Sequence, residues 1–144
     1  MAREAEEILR RGCNSGGSHG YTIVDVKVRV LEFRHNDPPD PSVPLLGTLS
    51  LALREAIVQA KTVMLEPVMI LEVRVPDDCL GPVMKDLGSR RAEIRETDLL
   101  GGFALIRGLT PLAEMFGYST QIRSLTQGRG SFSMEPYDYR VSNS

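Results

Sequence analysis

The sequence has few of the side chains on which catalysis and metal binding usually depend. Its 144 residues include two cysteines, two histidines and no tryptophan. Cys13 and Cys79 lie far apart and outside any Cys-x-x-Cys spacing, which argues against a disulfide framework and against a zinc site. His19 and His35 lie in stretches rich in glycine, serine or proline, which are typical of loops. Nothing in the sequence therefore indicates a Cys–His nucleophile pair.

Long apolar runs are absent as well. No stretch approaches the roughly 20 apolar residues that a membrane-crossing helix needs. The first residues, "MAREAEEILRR", show neither the apolar centre of a secretory signal nor the acid-poor composition of a transit peptide. With 42% hydrophobic and 25% charged residues, the composition is typical of a globular protein. We therefore expect a soluble protein without a visible targeting segment.

Lysine is scarce, and arginine supplies most of the positive charge. The net charge of -2 gives no overall attraction to nucleic acid. Of the 17 basic residues only Lys27, Lys61 and Lys85 are lysines. The planar guanidinium of arginine suits phosphate, and its weaker hydration suits an interface. Codon bias in a GC-rich genome would give the same composition, so composition alone leaves both explanations open.

The first 65 residues show only three elements of regular structure. Apolar residues at helical spacing predict a helix over 2–11, which the glycine-rich stretch "GCNSGGSHG" ends. Alternation in "YTIVDVKVRVLEF" predicts a strand, and the proline-rich loop "RHNDPPDPSVP" follows it. A further helix with an apolar stripe is predicted from about Leu46 to Ala60. Because one strand cannot form a sheet alone, this part looks like half of a domain.

The rest of the chain predicts a complete set of elements. "EPVMILEVRVPDD" alternates as a strand, and Asp77 or Asp78 can cap a following helix that has Pro82 in its first turn. Two strands then meet in a hairpin at Gly101–Gly102.

A second helix is predicted after the hairpin, and a final strand closes the chain. Thr110 is a suitable N-cap with Pro111 at the first helical position, so the helix should run to about Leu125. Its apolar side chains should pack into the sheet; they are Leu112, Met115, Phe116 and Ile122. The order β-α-β-β-α-β predicts an α+β fold of the ferredoxin-like, split βαβ plan.

Several segments together resemble a known family. "LEPVMILEVRVPDDCLGPVMKDLGSRRAEI" and "PLAEMFGYSTQIRSLTQGRGSF" resemble the fifth, C-terminal domain of translation elongation factor G. "GYTIVDVKVRVLEF" and "SLALREAIVQAK" resemble the second half of its fourth domain. The resemblance predicts a partial domain four over residues 1–65 and domain five over residues 66–144.

The resemblance implies a parent that is a translational GTPase, acting in GTP-dependent translocation or in ribosome recycling. The parent would be cytoplasmic, or organellar if it carries a transit peptide. No G-x-x-x-x-G-K-[ST] motif occurs in this sequence, so the phosphate-cradling loop of such GTPases is absent from it. We therefore expect no GTPase activity, no catalytic residue, no metal site and no cofactor in this chain; GTP and Mg²⁺ belong to the full-length family.

The resemblance also implies partners and contact residues. Domain five of the family docks near the sarcin-ricin loop and the stalk base of the large ribosomal subunit, and it joins the N-terminal domains that this sequence lacks. No membrane partner is expected. Arg123, Gln127 and Arg129 flank a glycine-rich turn that could place guanidinium and backbone N–H groups against a phosphate. The alternative is an internal role, with Arg129 bound to a domain-four surface or to Glu114.

Three further residues are candidates for ribosome contact. Arg90 and Arg91 end a predicted helix, where a cation also interacts favourably with the helix dipole. His35 is the positional counterpart of a histidine in the tip loop of domain four, or else an ordinary exposed loop histidine.

Two other functions remain open at this level. Ferredoxin-like domains also bind small molecules or act as regulatory domains, and fold alone does not settle function. A remnant without a present binding role is the other alternative.

Overall fold

A computed structural model describes residues 2–16, 20–34 and 44–143 of the protein. The chain divides into two compact units between Thr62 and Val63. Within the described ranges no helix is both long enough and apolar enough to cross a membrane.

The N-terminal unit contains two helices, as predicted. Helix α1 spans Ala2–Asn14 and helix α2 spans Leu45–Gln59. Leu49 and Leu53 are the buried residues of α2. A Cβ atom at Gly12 of α1 would collide with the Leu53 side chain. Glycine at that position therefore lets the two helices approach each other closely.

The predicted strand over "YTIVDVKVRVLEF" is wrong. Residues 20–34 have no regular secondary structure, and Val24 and Val30 are 55% and 50% exposed. The start of this stretch is bonded to the last turn of α1, where Thr22 and Ile23 donate hydrogen bonds to backbone carbonyls. The described part of the unit offers no second strand, and without one the backbone groups cannot form a ladder.

The C-terminal unit is a four-stranded antiparallel sheet. Its strands are β1 (Leu65–Pro76), β2 (Glu93–Leu100), β3 (Phe103–Pro111) and β4 (Ser131–Val141), in the order β2-β3-β1-β4. Helix α3 (Leu80–Ser89) connects β1 to β2, and helix α4 (Tyr118–Thr126) connects β3 to β4. This topology confirms the predicted ferredoxin-like, α+β fold.

The core lies between the sheet and the two helices. Val73 of β1 is opposite Ile106 of β3 and Phe132 of β4. The predicted hairpin is confirmed, because Gly101 and Gly102 link β2 to β3 with φ angles of 58° and 87°. The buried cluster consists of Leu71, Val73, Val75, Val83, Leu87, Ala104, Ile106, Met115, Tyr118 and Ile122.

The predicted start of the second helix is wrong. Pro111 ends β3 opposite Val68, a helical turn of 3-10 type follows at Leu112–Met115, and α4 begins only at Tyr118. Thr110 is buried in β3 and caps no helix. Pairing with β1 holds Pro111 in extended backbone, which the proline ring tolerates.

The predicted core position of Phe116 is also wrong. Phe116 is 80% exposed, because it lies outside both helical segments, in extended backbone before Gly117, whose φ is 73°. Met115 and Ile122 are buried as predicted, and Leu112 is half-buried.

The predicted N-cap of α3 is wrong, whereas the predicted position of Pro82 is confirmed. Asp77 and Asp78 lie in a 3-10 turn before the helix, and neither side chain caps it. Pro82 does lie in the first turn of α3.

Candidate functional site

The turn after α4 is held by its own hydrogen bonds. Thr126 Oγ1 donates to the carbonyl of Ile122 at 2.6 Å and accepts from the N–H of Gly130 at 2.8 Å. The N–H of Gly128 donates to the carbonyl of Arg123 at 2.8 Å, and that of Arg129 donates to the carbonyl of Thr126 at 3.1 Å. The N–H groups of 128–130 are therefore satisfied within the turn. A phosphate would have to be bound here by side chains, not by the backbone donors that the sequence suggested.

Arg129 is anchored to the start of α3. Its Nη2 lies 3.3 Å from Asp78 Oδ2 and 3.7 Å from Cys79 Sγ, and its Nε donates to the carbonyl of Thr126 at 3.3 Å. The internal partner of Arg129 is thus Asp78, and not Glu114. The side chain of Arg129 is still 49% exposed, so part of the guanidinium faces solvent.

The two residues beside Arg129 are electrostatically coupled. The hydrogen bond from the Cys79 thiol, together with that from Arg129, lowers the pKa of Asp78. Burial, followed by the hydrogen bond with Asp78, raises the pKa of the Cys79 thiol. Cys79 is therefore a protonated thiol at neutral pH and unsuited to act as a nucleophile.

Arg123 and Gln127 complete the surface around the turn. Both side chains are exposed, at the C-terminal end of α4. Among the residues that the structure describes, Arg123 has no ion-pair partner. We define the turn surface as Arg123, Gln127 and Arg129: one unpaired guanidinium, one half-exposed guanidinium and one amide.

Arg90 is occupied inside the unit. Its Nε donates to Asp86 Oδ2 at 2.9 Å and its Nη1 donates to the carbonyl of Glu114 at 2.6 Å. The guanidinium also lies over the ring of Tyr118, 5.1 Å from the ring centre. With 18% of its side chain exposed, Arg90 fastens the segment before α4 to α3.

Arg91 makes a second, more exposed set of bonds. Its two terminal nitrogens donate to Glu66 at 3.0 Å each, and its Nε donates to Glu114 Oε1 at 2.9 Å. Hydrogen bonds to Glu66 and then Glu114 raise the pKa of Arg91.

The structure does not bring the predicted site residues into one cluster. Arg90 and Arg91 follow the C-terminal end of α3, whereas Arg129 is bound at its N-terminal end. A helix of this length separates its ends by roughly 15 Å. His35 lies outside the described residues. In the part of the chain that is described, no group of three or more acidic, histidine or cysteine side chains could hold a metal ion.

Tyr118, whose ring packs against Arg90, has a position that the sequence did not indicate. It is fully buried beneath Arg90, and its hydroxyl has no hydrogen-bond partner among the described residues. Burial, with a smaller contribution from the charge of Asp86, raises the pKa of Tyr118 to about 12.

Alkaline pH should therefore destabilise the C-terminal unit through Tyr118. The folded state favours the neutral phenol, so stability is complete below the ordinary pKa of 10.0 and falls as pH rises towards the folded-state value. We expect a loss of about 2 kcal/mol across this window that is absent from Tyr118→Phe. Urea unfolding at neutral pH and at successive alkaline pH values, with both proteins, measures the difference; parallel curves would contradict it.

Comparison with known proteins identifies the family of the C-terminal unit. A family model described as the elongation factor G C-terminus matches residues 63–144. The chain is also similar to a protein of Thermus thermophilus whose crystal structure is known, with 26% sequence identity and a TM-score of 0.73. That similarity covers 98% of this chain and 22% of the other, so this chain spans about a fifth of the length of its structural relative.

Proposed function

Because the chain belongs to the family of elongation factor G C-termini, we propose that it is the ribosome-binding part of an elongation-factor-G-like translation factor. In this proposal the chain has no GTPase activity of its own. Residues 66–144 correspond to domain five and residues 1–65 to the second half of domain four. A parent protein would supply the GTPase domain and act in translocation or in recycling, in the cytoplasm.

The observation that carries the proposal is the turn surface. Arg123 is exposed and unpaired among the described residues, and the turn that it precedes carries Arg129, which is held in place and half-exposed. The internal bonds of the turn and the contact with Asp78 hold Arg129 in place, so binding removes little further side-chain entropy. Phosphates of the sarcin-ricin loop or of the stalk base are the proposed ligands.

Charge removal at the turn surface tests this proposal. Replacing Arg123 or Arg129 with alanine should weaken ribosome binding. Each should also flatten the salt dependence by roughly 0.7–0.9 log units per log unit of salt for every phosphate that is no longer bound. The measurement is co-sedimentation of the full chain with ribosomes over a salt series.

Two control variants separate phosphate contact from internal support. Asp78→Asn weakens the anchor of Arg129 but keeps its positive charge, so the salt slope should change little. Arg95→Ala removes an exposed arginine of β2 that pairs with Glu93, away from the turn surface. If Arg123→Ala and Arg129→Ala keep the wild-type slope, or if Arg95→Ala flattens it equally, specific phosphate contact at the turn is wrong.

The other predicted contacts stay predictions. Arg90 and Arg91 support the segment before α4 in the structure, and they could meet the ribosome only with their remaining exposed surface. His35 would act in the tip loop of domain four.

A further inference from the structure

The sheet of the C-terminal unit has one face that α3 and α4 do not cover. Along β1 the buried side chains Leu71, Val73 and Val75 alternate with residues that point the other way. The register of the sheet extends this alternation to the other three strands. We define the open face by the outward residues of the part nearest the hairpin: Ile70, Glu72, Arg74, Glu96, Asp98, Leu100, Phe103, Leu105, Arg107, Ser131, Ser133 and Glu135.

Carboxylates outnumber cations on the open face. Arg107 lies among three of them, with Glu72 at 3.0 Å, Asp98 at 3.4 Å and Glu96 at 3.6 Å. The hydrogen bond to Glu72 is the largest cause of the raised pKa of Arg107. One guanidinium cannot neutralise three carboxylates, so this cluster keeps a net negative charge.

The remaining charged groups do not reverse this balance. The guanidinium of Arg74 lies 4.7 Å from the ring centre of Phe103 and is held against that ring. Glu135 has no ion-pair partner among the described residues. The four carboxylates and two guanidinium groups of the open face leave two excess negative charges. Further along the same side of the sheet, Glu93 pairs with Arg95 and Arg140, Glu66 pairs with Arg91, and Asp138 adds a carboxylate, so these groups contribute no net charge.

An apolar groove runs beside these charges. It has a volume of about 400 Å³, and Leu100, Phe103 and Leu105 supply its apolar wall. Leu100 is 61% exposed at the hairpin end of the groove, and Ile70 is 42% exposed further along the face. Apolar side chains surrounded by polar groups are typical of protein-binding surfaces.

We propose that the open face docks a basic protein segment that carries apolar side chains. Lysine or arginine side chains of the partner would meet the free carboxylate oxygens around Arg107, and an apolar side chain would enter the groove. Nucleic acid does not fit, because its phosphates would meet the excess negative charge. This surface lies on the opposite side of the sheet from the helices and adds a protein partner to the proposed ribosome contact.

A defined peptide tests the proposal. The probe is a short synthetic peptide in which lysine alternates with phenylalanine and serine, titrated into the ¹⁵N-labelled full chain. Amide shifts should be confined to the four strands, and binding should weaken as salt is added. A peptide with glutamate in place of every lysine, and a single-stranded RNA oligonucleotide, should not shift these amides.

Variants of the chain identify the charges responsible. The triple variant Glu96→Gln, Asp98→Asn, Glu135→Gln should bind the lysine peptide at least about fivefold more weakly. The matched control is Glu4→Gln, Glu55→Gln, Asp77→Asn, which removes three exposed carboxylates elsewhere and should keep the wild-type affinity. The proposal fails if the peptide shifts amides of α3 and α4 instead, if it shifts none, if the RNA shifts the strand amides, or if the control weakens binding equally.

Discussion

Replacing Tyr118 with alanine should lower the free energy of unfolding of the C-terminal unit by about 3–5 kcal/mol. Tyr118 is fully buried at the first position of α4. Its ring packs edge-to-face against the ring of Phe132, with 4.9 Å between the ring centres. The guanidinium of Arg90 lies over the face of the Tyr118 ring. The substitution would leave a cavity between α4, the sheet and Arg90, and a packed core refills such a cavity only in part.

The matched control for this prediction is Tyr118→Phe. The hydroxyl of Tyr118 has no hydrogen-bond partner among the described residues, so its removal should change stability by less than about 1 kcal/mol. Urea unfolding at neutral pH, followed by the loss of the sheet signal in circular dichroism, compares the three proteins. Equal losses in the two variants would show that the hydroxyl, and not the ring, holds this corner of the core.

The fold of the C-terminal unit was predictable because its local signals agree with its tertiary contacts. The alternation in β1 matches a strand that buries every second residue against two helices. The Gly101–Gly102 pair has the positive φ angles that a two-residue hairpin needs. Once the order of helices and strands along the chain is known, the connection rules for split βαβ units leave few alternatives to the observed strand order.

The predictions failed where a local signal and a tertiary contact compete. Thr110–Pro111 has the sequence of a helix start, yet pairing of Pro111 with Val68 keeps both residues in β3. The valines between Tyr21 and Phe33 have strong strand propensity, but the described residues provide no neighbouring strand. Propensity describes which backbone conformations a residue tolerates. Whether a strand forms depends on a neighbouring strand with which its backbone can pair.

The site was predictable only in its residue types. Arginines near a glycine-rich turn were visible in the sequence, but their partners were not. Arg129 and Asp78 are 51 positions apart, a separation that no local periodicity reports. The same limit applies to Arg90, whose acceptor at Glu114 lies 24 positions away. Neighbouring arginines with such different surroundings should differ in their contribution to stability.

Replacing Arg90 with alanine should cost about 3 kcal/mol of stability, more than the same change at Arg91. Arg90 and Asp86 expose only 18% and 15% of their side chains, so the substitution leaves a nearly buried carboxylate without its cation. It also removes the donor to the carbonyl of Glu114 and uncovers Tyr118. Arg91 is 38% exposed and solvent reaches its pair with Glu114, but Glu66 is only 14% exposed, so Arg91→Ala should cost about 1–2 kcal/mol. The difference from Arg90 lies in the Glu114 carbonyl and the Tyr118 ring, which, of the two arginines, only Arg90 contacts.

Hydrogen exchange locates the effect that urea unfolding measures. In Arg90→Ala the amides of 115–118 should exchange faster than in the wild-type protein, because the segment before α4 loses its attachment to α3. The amides of β1 should change less. Arg91→Ala should leave the exchange of the same amides close to wild type. Equal destabilisation in the two variants, or unchanged exchange at 115–118 in Arg90→Ala, would mean that packing of Met115 and Tyr118 alone fixes this segment. The partly buried ion pair of Arg90 with Asp86 would then contribute nothing to the position of this segment.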